Sequence, residues 1–219
     1  MTRPLSTDAF LEADIMTALR EATHAMHVEL ESKLCLLDPH LSLADYKATL
    51  SSMHTAYTLL TVEQAPFLSQ MAATTMQWAQ RQHIVHLDED LATLGGIDKE
   101  RTSHSHRFYP TFPDRFSAWG SAYVIEGASL GGQVLTRRLA KRLHLSPSHG
   151  LAFFSGYGPR TGKMWRIFRT TLRQEINSDP SPAAALASCV DGARAAFGVF
   201  LRVFSPSERP PIQKADLLT

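Results

Sequence analysis

Apolar residues recur at spacings of three and four along most of the chain, the period of helices with one buried face. From about Ala9 to Leu37, the positions Ile15, Leu19, Ala22, Met26 and Leu30 mark such a face, and Asp38-Pro39 closes the pattern. Ser42, with Asp45 three residues on, reads as the N-cap of a helix over Leu43 to Leu60. Pro66 predicts a kink or a restart, with the next helix running to about Gln82. His83 to Leu94 forms a shorter helix stopped by Gly95-Gly96. A polar loop over residues 98–114 carries Pro110 and Pro113, and Asp114 then caps a long helix to about Leu143. Ser146-Pro147 predicts a brief helix with proline at its first position. Gly156, Gly158, Pro159 and Gly162 mark a break, followed by helices over Lys163 to Ile176 and Pro182 to Phe204. No run alternates as a strand does. The pattern predicts an all-α, single-domain helical bundle.

Composition narrows this picture. The 219 residues are 44% hydrophobic and 20% charged, enough for one domain with a sizeable core. A net charge of +1 gives no basic surface for nucleic acid. Two cysteines, Cys35 and Cys189, make no disulfide framework and suit a reducing cytoplasm. The first residues reach acidic side chains before any apolar run, so no secretory signal is expected there, and no membrane span is expected elsewhere. Residues 1–8 read as a flexible arm, 9–204 as the domain, and 205–219, rich in proline and polar residues, as a flexible tail.

Three segments carry candidate chemistry. In residues 19–31, LREATHAMHVELE, His24 and His27 neighbour each other on a helix surface, and Arg20 lies two turns before His27 on nearly the same face. A neutral imidazole can ligate haem iron, and a guanidinium up the same helix can reach a propionate. Taken alone, this segment reads more simply as a surface histidine and a solvated arginine. In residues 119–143, Gly127, Gly131 and Gly132 interrupt a strongly helical pattern, each at a cost of about 0.5–1 kcal/mol relative to alanine. Gly127 and Gly131 share a face bare of side chains, open either to a flat ligand or to a second helix packed close. In residues 153–172, Lys163, Arg166 and Arg169 form a basic stripe, suited to carboxylates at a pocket rim and equally to solvent.

Together these segments resemble the haem oxygenase family, most closely the bacterial, biliverdin-producing type associated with bacteriophytochromes. LREATHAMH resembles the proximal-helix signature and YVIEGASLGGQV the distal one, in the right order and about a hundred residues apart. FFSGYG with the following Lys163–Trp165 resembles a stretch of the bacterial members, and the likeness spans roughly residues 15–205. The resemblance implies haem b held between the two helices, as cofactor and substrate, and opened with molecular oxygen to biliverdin, carbon monoxide and ferrous iron. It implies His27 as iron ligand, Gly127 and Gly131 as the catalytic backbone against haem and oxygen, and Arg20, Tyr123, Lys163 and Arg166 as haem-binding groups. It implies an external electron donor, a ferredoxin or a flavoprotein reductase, and a bacteriophytochrome as recipient of the biliverdin. Ala128 stands where mammalian members carry an aspartate beside the bound oxygen.

Two other readings share these residues. A protein that carries haem or biliverdin without turnover would use the same binding groups. A non-haem di-iron oxidase would use Glu21 and His24, an ExxH, with Glu126 on another helix, yet the chain has no second ExxH set. His83 and His86, beside Asp88 and Glu89, read as a solvated helix face.

Overall fold

The computed structural model describes residues 7–72, 76, 80, 81, 83–97 and 110–205. The polar loop up to residue 109 and the tail beyond 205 lie outside the described residues. Helix α1 spans Thr7–Leu34, so it begins inside the expected arm and stops before Asp38. The reason for the early stop is Cys35, whose φ of 49° is left-handed and whose carbonyl accepts from the Asp38 N–H at 3.0 Å.

Helix α2 spans Leu43–Ala72. Its start is reciprocal: the Asp45 N–H donates to Ser42 Oγ at 3.1 Å and the Ser42 N–H to Asp45 Oδ2 at 3.1 Å, a capping box closed by aspartate. Pro66 lies inside this helix and does not break it, a correction to the expected restart; the helix ends at Ala72 rather than Gln82. Helix α3, His83–Thr93, ends as expected: Gly95 and Gly96 have φ of 91° and 87°, and the Gly96 N–H reaches the Leu91 carbonyl at 2.7 Å.

Helix α4 spans Arg115–Leu143 behind an Asp114–Ser117 capping box. Ser146-Pro147 starts no helix. His149 and Ser146 instead exchange backbone hydrogen bonds of 2.8 and 3.1 Å in a tight turn. The short helix α5, Ala152–Ser155, begins later because Asp90 of α3 accepts from the N–H groups of Ala152 at 2.8 Å and Phe153 at 2.9 Å. A 3₁₀ turn over Gly158–Arg160 leads into α6, Thr161–Asn177, which takes in Gly162. Helix α7 spans Pro182–Val203.

Helix α7 is the axis of the packing, laid against α1, α2 and α4. It touches α4 backbone to backbone: a Cβ on Gly120 would collide with the Cys189 carbonyl, and one on Gly192 with that of Ser117. Contrary to the expectation that no segment is apolar enough, α7 has the length and composition of a membrane span. Its inward face of Ala185, Cys189, Ala193, Ala196, Phe197 and Phe200 is instead buried among the other helices.

Candidate functional site

On α1 the buried stripe runs through Ile15, Leu19, Thr23 and Leu30. At about 100° per residue, His27 lies some 60° nearer that stripe than His24. The His27 ring accordingly meets Phe197 of α7 edge to face, centroids 5.9 Å apart, while its side chain stays 56% exposed. Its Nδ1 lies 3.8 Å from Glu31 Oε1, one turn on, which leaves Nε2 for a metal. At that distance the two side chains are neighbours on the helix surface, short of a hydrogen bond. The sequence reading passed over Glu31, although its i,i+4 spacing from His27 was available.

On α4, Tyr123, Gly127 and Gly131 follow one another at four-residue steps and share a face. Tyr123 is half-buried against Trp165 of α6, ring centroids 6.0 Å apart. Burial pushes its phenol pKa up, and the nearby Arg20 charge on α1 pulls against that rise. The Arg20 charge on α1 thus acts on Tyr123 of α4 through space. Beyond them α4 is bare. A Cβ on Gly127 would meet only the Trp165 ring edge, at 3.9 Å, and one on Gly131 nothing within 4 Å. Leu130 and Val134 beside them are 43% and 50% exposed. Gly132 differs, because a Cβ there would collide with the Phe154 carbonyl. Close packing therefore explains Gly132 and does not explain Gly127 or Gly131.

The basic stripe on α6 divides. Lys163 and Arg166 are exposed, on the side away from buried Met164, Phe168 and Leu172. At 100° per residue Lys163 sits about 160° round from Trp165, and Arg169 only about 40°. Arg169 Nε is buried with no hydrogen-bond partner among the described residues. Arg169 is thus the stripe's member on the Tyr123–Gly127 side.

Sequence reasoning named Glu126 and His83 separately and missed the buried polar cluster that joins them. Glu126, next to Gly127, is 3% exposed. It pairs with Arg81. His83 Nε2 lies 3.0 Å from its Oε1, and the Tyr157 hydroxyl donates to its Oε2 at 3.0 Å. His83 is buried, not solvated as expected for the His83/His86 pair. An ionised carboxylate only accepts, so Nε2 carries the proton in that contact. With its oxygens engaged in this way, Glu126 is no ligand for a di-iron centre, and no cluster of three metal-ligating side chains occurs among the described residues.

Burial alone would raise the Glu126 pKa, but His83, Arg81 and Tyr157 outweigh it and hold it below its ordinary 4.5. Asp114 is likewise held below its ordinary 3.8: burial would raise it, but hydrogen bonds from Ser117 and Ser188 prevail. For each group the unfolded chain takes up the proton first, so stability present at higher pH is lost as pH falls through the folded pKa. The urea midpoint should therefore fall as pH is lowered through about 4.5, and Glu126→Gln should flatten the decline. A midpoint constant from pH 6 to 3.5 would contradict this.

A concavity of about 740 Å³ lies elsewhere, at the N-terminal ends of α4 and α7, between Phe67, Arg115, Phe116 and Asp179. No histidine lines it among the described residues. A haem requires an imidazole with a free nitrogen, open apolar backbone for its flat face, and cations for its carboxylates. His27, the Gly127–Gly131 face with Leu130 and Val134, and Arg20 with Arg169 fit that set.

Comparison with known proteins identifies the family. Residues 13–206 match the family model described as haem oxygenase. A haem oxygenase from Xanthomonas campestris is 33% identical over 133 residues, 61% of this chain and 73% of the relative. The fold is similar to the NO- and CO-bound haem oxygenase of Neisseria meningitidis, with a TM-score of 0.67 and 23% identity over 91% of this chain and 98% of that one. It is also similar to haem oxygenase-1 of the cyanobacterium Synechocystis in complex with haem, with a TM-score of 0.64 and 21% identity over 87% and 90% of the two chains. With a match spanning nearly all of the described helices, the chain belongs to the haem oxygenase family.

Proposed function

We propose that this chain binds haem between α1 and α4 and opens it oxidatively to biliverdin, carbon monoxide and ferrous iron. The observation that carries the proposal is the bare face of α4: two interior glycines, Gly127 and Gly131, are turned to an aromatic edge and to open space rather than to a packed neighbour. Haem is the substrate, and its iron supplies the oxygen chemistry when bound. His27 holds the iron through Nε2, with Glu31 one turn on beside Nδ1. A neutral imidazole pushes less electron density than a thiolate and so favours O–O cleavage less.

The Gly127 and Gly131 backbone leaves room for a diatomic molecule and limits where it can lie, which shortens its approach to the ring edge. Arg20 and the Tyr123 hydroxyl face the propionates, with Arg169, Arg166 and Lys163 along α6. Electrons come from a ferredoxin or a flavoprotein, since the sequence has no glycine-rich nucleotide motif. On this reading a bacteriophytochrome takes the biliverdin and the enzyme works in the cytoplasm. Those finer points rest on the likeness of the two signatures to the bacterial enzymes of that type.

The test is turnover. Haem-loaded protein given ascorbate and air should lose its Soret band and release biliverdin, identified by chromatography. A stable ferrous or oxygen-bound spectrum with no biliverdin would favour the carrier reading. The same assay separates the cations. Rim ion pairs are worth about 0–1 kcal/mol each, so Arg20→Ala should weaken haem binding a few-fold and broaden the isomer mixture, and Arg169→Ala, whose Nε is buried, should do so more strongly. Lys163→Ala, on the outer side of α6, should change it least. Identical isomer ratios in all three would remove the propionate assignments.

A further inference from the structure

The Glu126 cluster lies outside the residues that would touch haem, yet it adjoins them. It joins three segments distant in sequence. Arg81 and His83 come from the entry to α3, Glu126 from the middle of α4, and Tyr157 from the turn after α5. The Arg81 guanidinium donates further, from Nε to the Met76 carbonyl at 2.9 Å and from Nη2 to the Met164 carbonyl at 3.2 Å. Met164 precedes Trp165, whose ring lies against Tyr123 and Gly127. One guanidinium thus links the residue before Gly127 to the backbone that carries the aromatic wall beside it.

The segment from Gly127 to Gly131 has little of its own to hold it. Two of its residues lack side chains, and Ala128 and Leu130 are exposed. The Ser129 hydroxyl returns to the Glu126 carbonyl at 2.6 Å. Fixed points bracket it: the Glu126 cluster before, and the backbone contact of Gly132 with Phe154 after. A buried charge cluster is an expensive fixing point, and well-packed apolar groups of the same volume commonly stabilise a fold as well or better. What it adds is directional placement.

We propose that Glu126, held by Arg81, His83 and Tyr157, is a positioning residue that sets the height and rotation of the Gly127–Gly131 backbone over the haem, and with them the rate and regiochemistry of ring opening. The catalytic half of this proposal rests on the haem reading above. The structural half does not.

The experiment compares wild type, Glu126→Gln, Glu126→Leu, and Glu126→Leu combined with Arg81→Met. In haem-free protein, amide hydrogen exchange of residues 127–131 should quicken in both Glu126→Leu proteins, with α7 unchanged. Glu126→Gln, which keeps an acceptor for His83 and Tyr157, should stay close to wild type. Loaded with haem, all four should keep the His27-ligated spectrum with similar affinity. Glu126→Leu should turn over roughly ten- to hundred-fold more slowly, as a displacement near 1 Å does elsewhere, and give a mixed isomer pattern. The double variant should regain thermal stability without regaining rate or isomer ratio. If stability, rate and isomer ratio return together, or if exchange over 127–131 is unchanged in Glu126→Leu, the cluster only packs the core and the proposal falls. If exchange responds while the wild type itself releases no biliverdin, the haem reading fails and takes the catalytic half with it.

Discussion

His27→Ala should abolish the histidine-ligated haem spectrum, while His24→Ala should keep it. Both residues lie on α1, and in sequence both are histidines at helical spacing. The structure separates them by orientation. His27 leans on Phe197 with Nδ1 toward Glu31, whereas His24 is turned about 60° further from the buried stripe. Only His27 therefore offers a ring held against the core with one nitrogen free. Removing it should leave haem bound loosely by the apolar face of α4 and the rim cations, with a spectrum that added imidazole restores. The fold should be little affected, because the side chain is more than half exposed and substitutions at such positions usually stay within about 0.5 kcal/mol. Titration of haem by absorbance, with and without imidazole, reads both expectations. Loss of the spectrum in His24→Ala with retention in His27→Ala would reassign the ligand.

The helices were legible because their caps and their period are local. Asp114 with Ser117, Ser42 with Asp45, and Gly95-Gly96 state their ends within four residues. Pro66 misled for the complementary reason: proline breaks a helix locally, but the packing of α2 against α3, α4 and α7 outweighs the loss of one N–H. The Glu126 cluster was hard to see because its partners lie 31 to 45 residues away. A sign of it was nonetheless present: Trp119, Ala122 and Glu126 fall at i, i+3 and i+7, so an acidic residue sits on the stripe that must be buried. The stripe of Lys163, Arg166 and Arg169 misled by its spacing. Three-residue steps drift by about 60° each on a helix, so Lys163 and Arg169 face directions some 120° apart.

Gly131 and Gly132 are adjacent and chemically identical, and substituting them should have opposite consequences. A Cβ on Gly132 would run into the Phe154 carbonyl, whereas one on Gly131 meets nothing within 4 Å. Overpacking against backbone costs typically about 1–3 kcal/mol, so Gly132→Ala should lower Tm by roughly 2–12 °C at the 2–4 °C per kcal/mol usual for a domain of this size. Gly131→Ala should match or slightly exceed wild-type stability, since alanine removes the entropic penalty of an interior helix glycine, about 0.5–1 kcal/mol. Gly131→Leu has open space to enter and should also fold. Catalysis should rank the three in a different order. A leucine at Gly131 fills the space that oxygen requires between helix and ring, so haem should still bind with the His27 spectrum while biliverdin formation drops roughly ten- to hundred-fold, up to the loss that a displacement of about an ångström can cause. Gly132→Ala, assayed well below its melting temperature, should keep more of its turnover than Gly131→Leu. Differential scanning calorimetry and single-turnover haem degradation on the same preparations separate the two roles. Wild-type turnover and product in Gly131→Leu would show that its open face looks away from haem, and with that the carrying observation for the distal side would be lost.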